Sequence, residues 1–212
     1  MEHRSDRNVG SSASKQKMRK QSGIAGPPLQ GRRVILRPIV GTDHGWLYAL
    51  STNQENGFRW RYGGSTPSPD LFVRTLWDQV LVQFVVERRA THEPVGLVVA
   101  YAADLHSGHV QIGVLLDPGA QKRGWPLEAA FLFINYLFSN WNIRKLYAEC
   151  LEFNYRQFAS GAGRLFRVEA RLRGHHYWNG QHWDKLIASC TRVEWSAIKD
   201  RILRFAIGRT VG

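Results

Sequence analysis

The chain has 212 residues, 43% of them hydrophobic, with eight Trp and a formal net charge of +12. That is enough apolar surface for a real core, in one domain with tails or one large domain. Two cysteines are too few for a disulfide framework, and no apolar run reaches the roughly 18 residues of a membrane span.

The charge is unevenly placed. Residues 1–33 hold eight Lys or Arg against Glu2 and Asp6. Residues 1–30 end in "GIAGPPLQG" and read as a disordered basic arm closed by a Pro/Gly boundary. Such an arm can bind RNA or an acidic partner through released counterions; a solvated leader is the plainer reading. The fold should start at "RRVILRPI", which alternates as a strand does. Asp43 then reads as the N-cap of a helix carrying Trp46, Leu47 and Leu50. A Gly/aromatic loop follows. Ser68 is predicted to cap a helix through Leu71, Phe72, Leu76 and Val80.

"VQFVVERR" and "VGLVVAYAAD", joined by "ATHEP", read as a hairpin, and "HVQIGVLLD" as a third strand. "LEAAFLFINYLFSNW" is apolar on nearly every face and predicts a buried helix. The strand "KLYAECLEF", a short irregular segment, and two long strands around the turn "WNGQ" complete the pattern. Residues 196–212 read as a basic amphipathic helix with Ile198, Ile202 and Phe205 on one side, docked on the core rather than on a membrane. The order predicts a mixed α/β domain over residues 31–195, one central sheet with helices on its faces. Cys150 and Cys190 lie in apolar strands and read as reduced core thiols. They suit a cytoplasmic location, as does an N-terminus without the apolar core of a signal peptide.

The stretch "GAQKRGWPLEAA", residues 119–130, sits at a strand-to-helix junction. There a helix's first N–H groups have no carbonyl partner, and with the helix dipole they suit a phosphate. Gly124 permits close backbone approach, and Lys122 and Arg123 add charge. The alternative is an ordinary loop with surface cations. Gly113, inside the preceding strand, marks either simple packing or a close approach.

This segment resembles the pyrophosphate loop of the GCN5-related N-acetyltransferases (GNAT), whose pattern is Q/R-x-x-G-x-G/A. Gln121, Gly124 and Glu128 with Ala129 are similar to the branch that acetylates ribosomal proteins. "GRRVILRPIVGTDHGWLY" resembles that branch's opening strand and helix, "RKLYAECLEFN" its strand ending in Asn, and "VEARLRGHHYWNGQHWDKLIASCTRVEW" its closing hairpin. The resemblance implies a mostly antiparallel sheet splayed after the fourth strand, helices on both faces, and acetyl-CoA as cofactor. It implies that Leu115 and Leu116 border the gap for the pantetheine arm. The backbone of Gln121, Lys122, Arg123, Gly124 and Trp125 would carry the pyrophosphate. Pro126 departs from the family's Gly or Ala; it suits a first helical turn but removes one donor.

Acyl transfer to an amine needs a neutral nucleophile, a polarised carbonyl and a stabilised thiolate. Asn154 resembles the family's Asn that orders the cofactor or a water; an N-cap role is the alternative. Gln157 stands where relatives often have a Ser thought to protonate the thiolate, so it is assigned to the cofactor. Tyr155 and Ser160 are the nearby hydroxyls. His176 falls where some relatives have a general-base Glu, and its imidazole suits a base near neutrality; substrate recognition or core hydrogen bonding is the alternative. His175 should face the other way. Phe58, Arg59, Trp60, Arg61 and Tyr62 are expected on one acceptor wall, and Tyr177, Trp178 and Trp183 on the other. Zinc-like spacing of His with the two Cys is lacking. The leading expectation is an acetyl-CoA-dependent N-acetyltransferase of a primary amine, a peptide or protein N-terminus. The alternatives are an antibiotic or other small-molecule amine as acceptor, or a non-catalytic module that binds through the arm. Oligomeric state is open, a homodimer among the options.

Overall fold

Strands β1 (Val34–Arg37), β2 (Val80–Arg88), β3 (Pro94–Asp104), β4 (His109–Leu116), β5 (Lys145–Leu151), β6 (Arg167–Trp178) and β7 (Gln181–Thr191) form one sheet. Their spatial order is β1-β2-β3-β4-β5-β7-β6. Neighbours run antiparallel except β4 and β5, which are parallel. The helices are α1 (His44–Thr52), α2 (Pro69–Thr75), α3 (Trp125–Asn140) and α4 (Arg192–Ile207). This computed structural model describes residues 29–57, 60–155 and 165–207, with backbone only at 121–123 and 207. The basic arm, Phe58, Arg59, Gln157 and Ser160 lie outside the described residues, as do the side chains of Gln121, Lys122 and Arg123.

Strand alternation sorts the core into two layers. Phe84, Val86, Val98, Ala100, Val110, Ile112 and Leu146 face α3, while Leu97 and Leu115 face α1 and α2. Central strands covered on both faces need apolar residues on both, which explains the unbroken Val/Leu runs of β2 and β3. Helix α3 buries Phe131, Leu132, Phe133, Ile134, Leu137 and Phe138, as its all-round apolar sequence predicts. The turn "WNGQ" forms with Asn179 and Gly180 both at positive φ (51° and 79°), the conformation a two-residue hairpin loop demands.

Helix α4 starts at Arg192, so the expected boundary before residue 196 falls inside it. The reason is a capping role. Arg192 donates from Nη1 to Phe138 O (2.5 Å), from Nη2 to Trp141 O (2.6 Å) and from Nε to Ile143 O (2.8 Å). One guanidinium thus serves carbonyls at the end of α3 and one in the loop that follows it. Trp195 and Ala206 are buried, and Ile198 and Ile202 pack on the core, but Phe205 is 55% exposed and does not share that face. Helix α2 ends at Thr75 and Val80 already begins β2; Ser68 does cap α2, accepting from Leu71 N at 3.3 Å.

Asp43 holds the N-cap position of α1, as its sequence context predicts, but its side chain makes no cap hydrogen bond to that helix. Its carboxylate accepts from Val40 N (2.8 Å) and from Arg37 Nη1 (2.7 Å) and Nη2 (2.9 Å), because Arg37 offers a stronger, bidentate partner. Arg37 also donates from Nε to Glu87 (2.5 Å), whose other oxygen meets His92 Nδ1 at 2.7 Å. The bond from Arg37 holds Asp43 below its ordinary 3.8 despite burial. Burial pushes Glu87 up, yet Arg37 and His92 together hold it below 4.5. Both carboxyls are depressed, so they stabilise the fold above their unfolded values and cease to as pH falls through the folded ones. The melting temperature should therefore hold above about pH 5 and decline in acid. Arg37→Met should lower the plateau above about pH 5 and flatten the acid decline, since its partners are then desolvated carboxylates whose protonation no longer costs stability. An unmoved acid limb would show that the cluster does not set acid stability.

Candidate active site

The parallel pair β4–β5 is brief. It runs from His109 opposite Lys145 to Ile112 opposite Ala148 and stops. Beyond it, residues 113–116 stay paired with β3, and residues 149–151 stay paired with β7. Each half of the sheet thus holds its own strand, and the two halves part. The strand edges that face the gap resemble any unpaired sheet edge in what they offer, a row of backbone donors and acceptors. At its far end Asn56 Nδ2 donates to Leu116 O (3.4 Å).

A cavity of about 1420 Å³ occupies the gap, more than the roughly 300–1,000 Å³ of a pocket for one small ligand. Its two sides differ in chemistry. Toward α3 it is apolar, lined by Leu127, Ala130, Ile134, Ala148, Cys150 and Phe166. Toward α1 and α2 it is polar, with Trp60, Arg61, Tyr101, Glu149, His176 and Lys185. At its mouth Gly124 adopts φ 75°, a left-handed conformation that favours glycine, between a 3-10 turn (Pro118–Arg123) and α3. Gly124 is exposed and lines the cavity with Pro126, so the start of α3 opens onto it. An anion seated there would meet the helix's unpaired N–H groups and the positive end of its dipole.

Of the residues expected at the site, Leu115, Leu116, Gly124, Asn154, His176, Trp60, Arg61 and Tyr62 line the cavity. Strand alternation places His176 on it while His175 is exposed. Trp60 lies against Gly113: a Cβ built there would come within 3.1 Å of the indole. Gly113 is therefore a point of close approach. The residues that the structure does not bring to the cavity have physical reasons. Trp125 is buried in the core with Arg88 5.4 Å above its ring, so only its backbone belongs to the helix start. Tyr177 is 64% exposed beside His182, on the strand face away from His176. Trp178 stacks on Phe153 (5.2 Å), which with Trp183 (4.7 Å) forms an aromatic cluster of its own. Tyr155 is half-buried just past Asn154 and is not among the lining residues.

Sequence reasoning missed Glu149, Lys185 and Tyr101. The signal was available: an acid in the apolar strand "KLYAECLEF" must face a polar space. Lys185 Nζ donates to Glu149 at 3.0 Å. Burial, helped by Glu149, pushes Tyr101 up to about 12, so it stays a neutral hydroxyl. Burial pushes Cys150 up to about 11, which keeps its thiol protonated at neutral pH. Among the described residues no group of three His, Cys, Asp or Glu could hold a metal, and no helix is long and apolar enough to cross a membrane.

A mixed sheet parted between its fourth and fifth strands, with a helix start open to an anion at one end of the gap, is the arrangement that the resemblance to the acetyltransferases implies. Residues 33–160 match the family model described as an acetyltransferase (GNAT) domain, and the chain belongs to that family. Over 152 residues it is 27% identical to spermidine N(1)-acetyltransferase of Escherichia coli K12, covering 70% of this chain and 81% of that protein. Spermidine N-acetyltransferase from Vibrio cholerae, solved with CoA and spermine, superposes with a TM-score of 0.68 at 19% identity, over 77% of this chain and 98% of that one. A GCN5-related N-acetyltransferase from Brucella melitensis gives a TM-score of 0.62 at 26% identity, over 84% and 86%. The protein is an acetyl-CoA-dependent N-acetyltransferase. The narrower likeness to the ribosomal-protein-acetylating branch gains no support from these matches.

Proposed function

We propose that the protein acetylates a primary amine of a small molecule, in preference to a peptide or protein N-terminus. The observation that carries the transferase reading is the β4–β5 gap running up to Gly124. The small-molecule acceptor is supported by the relatives, which act on spermidine by name. Acetyl-CoA supplies an activated thioester. Its diphosphate suits the backbone at residues 121–125, and its pantetheine arm suits the open strand edge at residues 113–116. In this reading the apolar side of the cavity excludes water around the thioester, and Asn154, a lining residue, orients it.

An alkyl ammonium must lose a proton before it attacks. His176 and Glu149 are two lining groups able to accept one. Glu149 is engaged by Lys185, so His176 takes the base role in this reading. Trp60, Arg61 and Tyr62 form the acceptor wall, held by Tyr62 Oη against Thr75 Oγ1 (3.1 Å) and by Arg61 on the end of α2.

Saturating acetyl-CoA should raise the melting temperature, and thiol release should follow addition of a small primary amine. His176→Ala should lower turnover by about 100-fold. No shift with acetyl-CoA overturns the proposal. Unchanged turnover in His176→Ala at the pH optimum reassigns the base to Glu149.

A further inference from the structure

The acceptor side of the cavity contains a cation without a matching anion. Arg61 lines the cavity and is half-buried. Its Nη1 donates to Thr75 O (3.0 Å) and Leu76 O (2.9 Å), the open carbonyls at the end of α2. Those acceptors are neutral. Among the described residues no carboxylate lies within 4.0 Å of its guanidinium; Asp78, on the same wall, acts on it only through space. The other cation of this side, Lys185, has its partner in Glu149. Burial lowers the pKa of Arg61, which reflects the cost of holding a charge there.

A half-buried guanidinium costs free energy unless an anion completes it. Its planar fork can use one nitrogen for the helix carbonyls and present the others to a second partner. The neighbouring residue, Trp60, packs on Gly113 at the parting of the sheet, so Arg61 sits beside the place where the chain opens for the acyl donor. A polyamine brings only positive charge to this position, and like charges there repel.

We infer that Arg61 is a specificity-determining residue that pairs with an anionic group, carboxylate or phosphate, carried by the acceptor close to its amine. This rests on the proposed small-molecule acetyltransferase activity and narrows its substrate class: the acceptor is an amino acid-like or aminoalkyl phosphate-like compound, unlike spermidine. Substrate and guanidinium then neutralise each other as water leaves the cavity, which strengthens the pair.

The test uses the full chain, acetyl-CoA and matched probes: β-alanine against β-alaninamide, O-phosphoethanolamine against ethanolamine, and spermidine. At least one acid should exceed its neutral partner in kcat/KM by about ten- to a hundredfold, and which pair shows it identifies the anion. Arg61→Gln should erase that preference while the Kd for acetyl-CoA, measured by titration, stays the same. Because Arg61 also holds α2, Arg61→Lys serves as the second variant; it keeps a cation and should keep part of the preference. Equal or faster turnover of the neutral partners or spermidine overturns the inference, as does a preference that survives Arg61→Gln or an absence of thiol release with both acids. None of these touches the transferase reading, which falls only if acetyl-CoA itself fails to bind.

Discussion

Gly113→Leu should abolish most acetyl transfer, lowering kcat/KM by about a hundredfold while the protein stays folded. Gly113 pairs with Val99 of β3 at the first residue past the last β4–β5 contact. A Cβ there would meet Trp60 Cζ3 at 3.1 Å, Val99 Cγ1 at 3.2 Å and Trp60 Cη2 at 3.3 Å. Alanine asks the indole to yield a few tenths of an ångström. Leucine asks it to leave, and Trp60 is part of the acceptor wall. The displaced ring and the new side chain would both enter the space where the reactants must meet. Thiol release at saturating acetyl-CoA, read beside circular dichroism, measures the two effects separately. Activity within about threefold of the unmodified protein would falsify this role for Gly113.

Glu128→Ala should cost about 2–5 kcal/mol of stability and leave acetyl-CoA affinity of the folded protein unchanged. The sequence places Glu128 in the phosphate-loop motif, but its carboxylate is 3% exposed and turned to the other side of α3. Oε1 accepts from Arg33 N (2.7 Å) and Val34 N (3.2 Å), fastening the start of β1 to α3. Gly31 has no side chain because a Cβ there would lie 2.2 Å from that oxygen. Removing the carboxylate strands two backbone donors, one of them buried, and opens a cavity under the first strand. Glu128→Gln keeps one acceptor and should lose less. Denaturant midpoints check the ranking. A weakened Kd with unchanged stability would return Glu128 to the binding site.

Much of the fold was legible in the sequence because the signals were redundant. The hairpin of β6 and β7 carried both alternation and an Asn-Gly turn, and α3 carried an unmistakable apolar surface. What misled was chemistry with more than one partner. Asp43 has the residue type of an N-cap, but Arg37, six residues earlier, outcompetes the helix amides. The sequence analysis gave Arg192 no role, and only the fold shows carbonyls from the end of α3 and the loop after it converging on it. Gly124, His176 and Trp60 were proposed from motif position and strand parity, and all three line the cavity. Tyr177 and Trp178 were misplaced because aromatic composition does not reveal which neighbour a ring will stack on. Glu149 and Lys185 are 36 positions apart, a pair that one-dimensional patterning does not join.

The parting of β4 from β5 pierces the sheet rather than denting it, since a single cavity touches α3 residues on one face and Trp60 and Tyr101 on the other. A volume of about 1420 Å³ reaching both faces leaves room for two reactants side by side. Cys150 lines that shared space, and burial keeps its thiol protonated at neutral pH, which suits a bystander better than an acyl carrier.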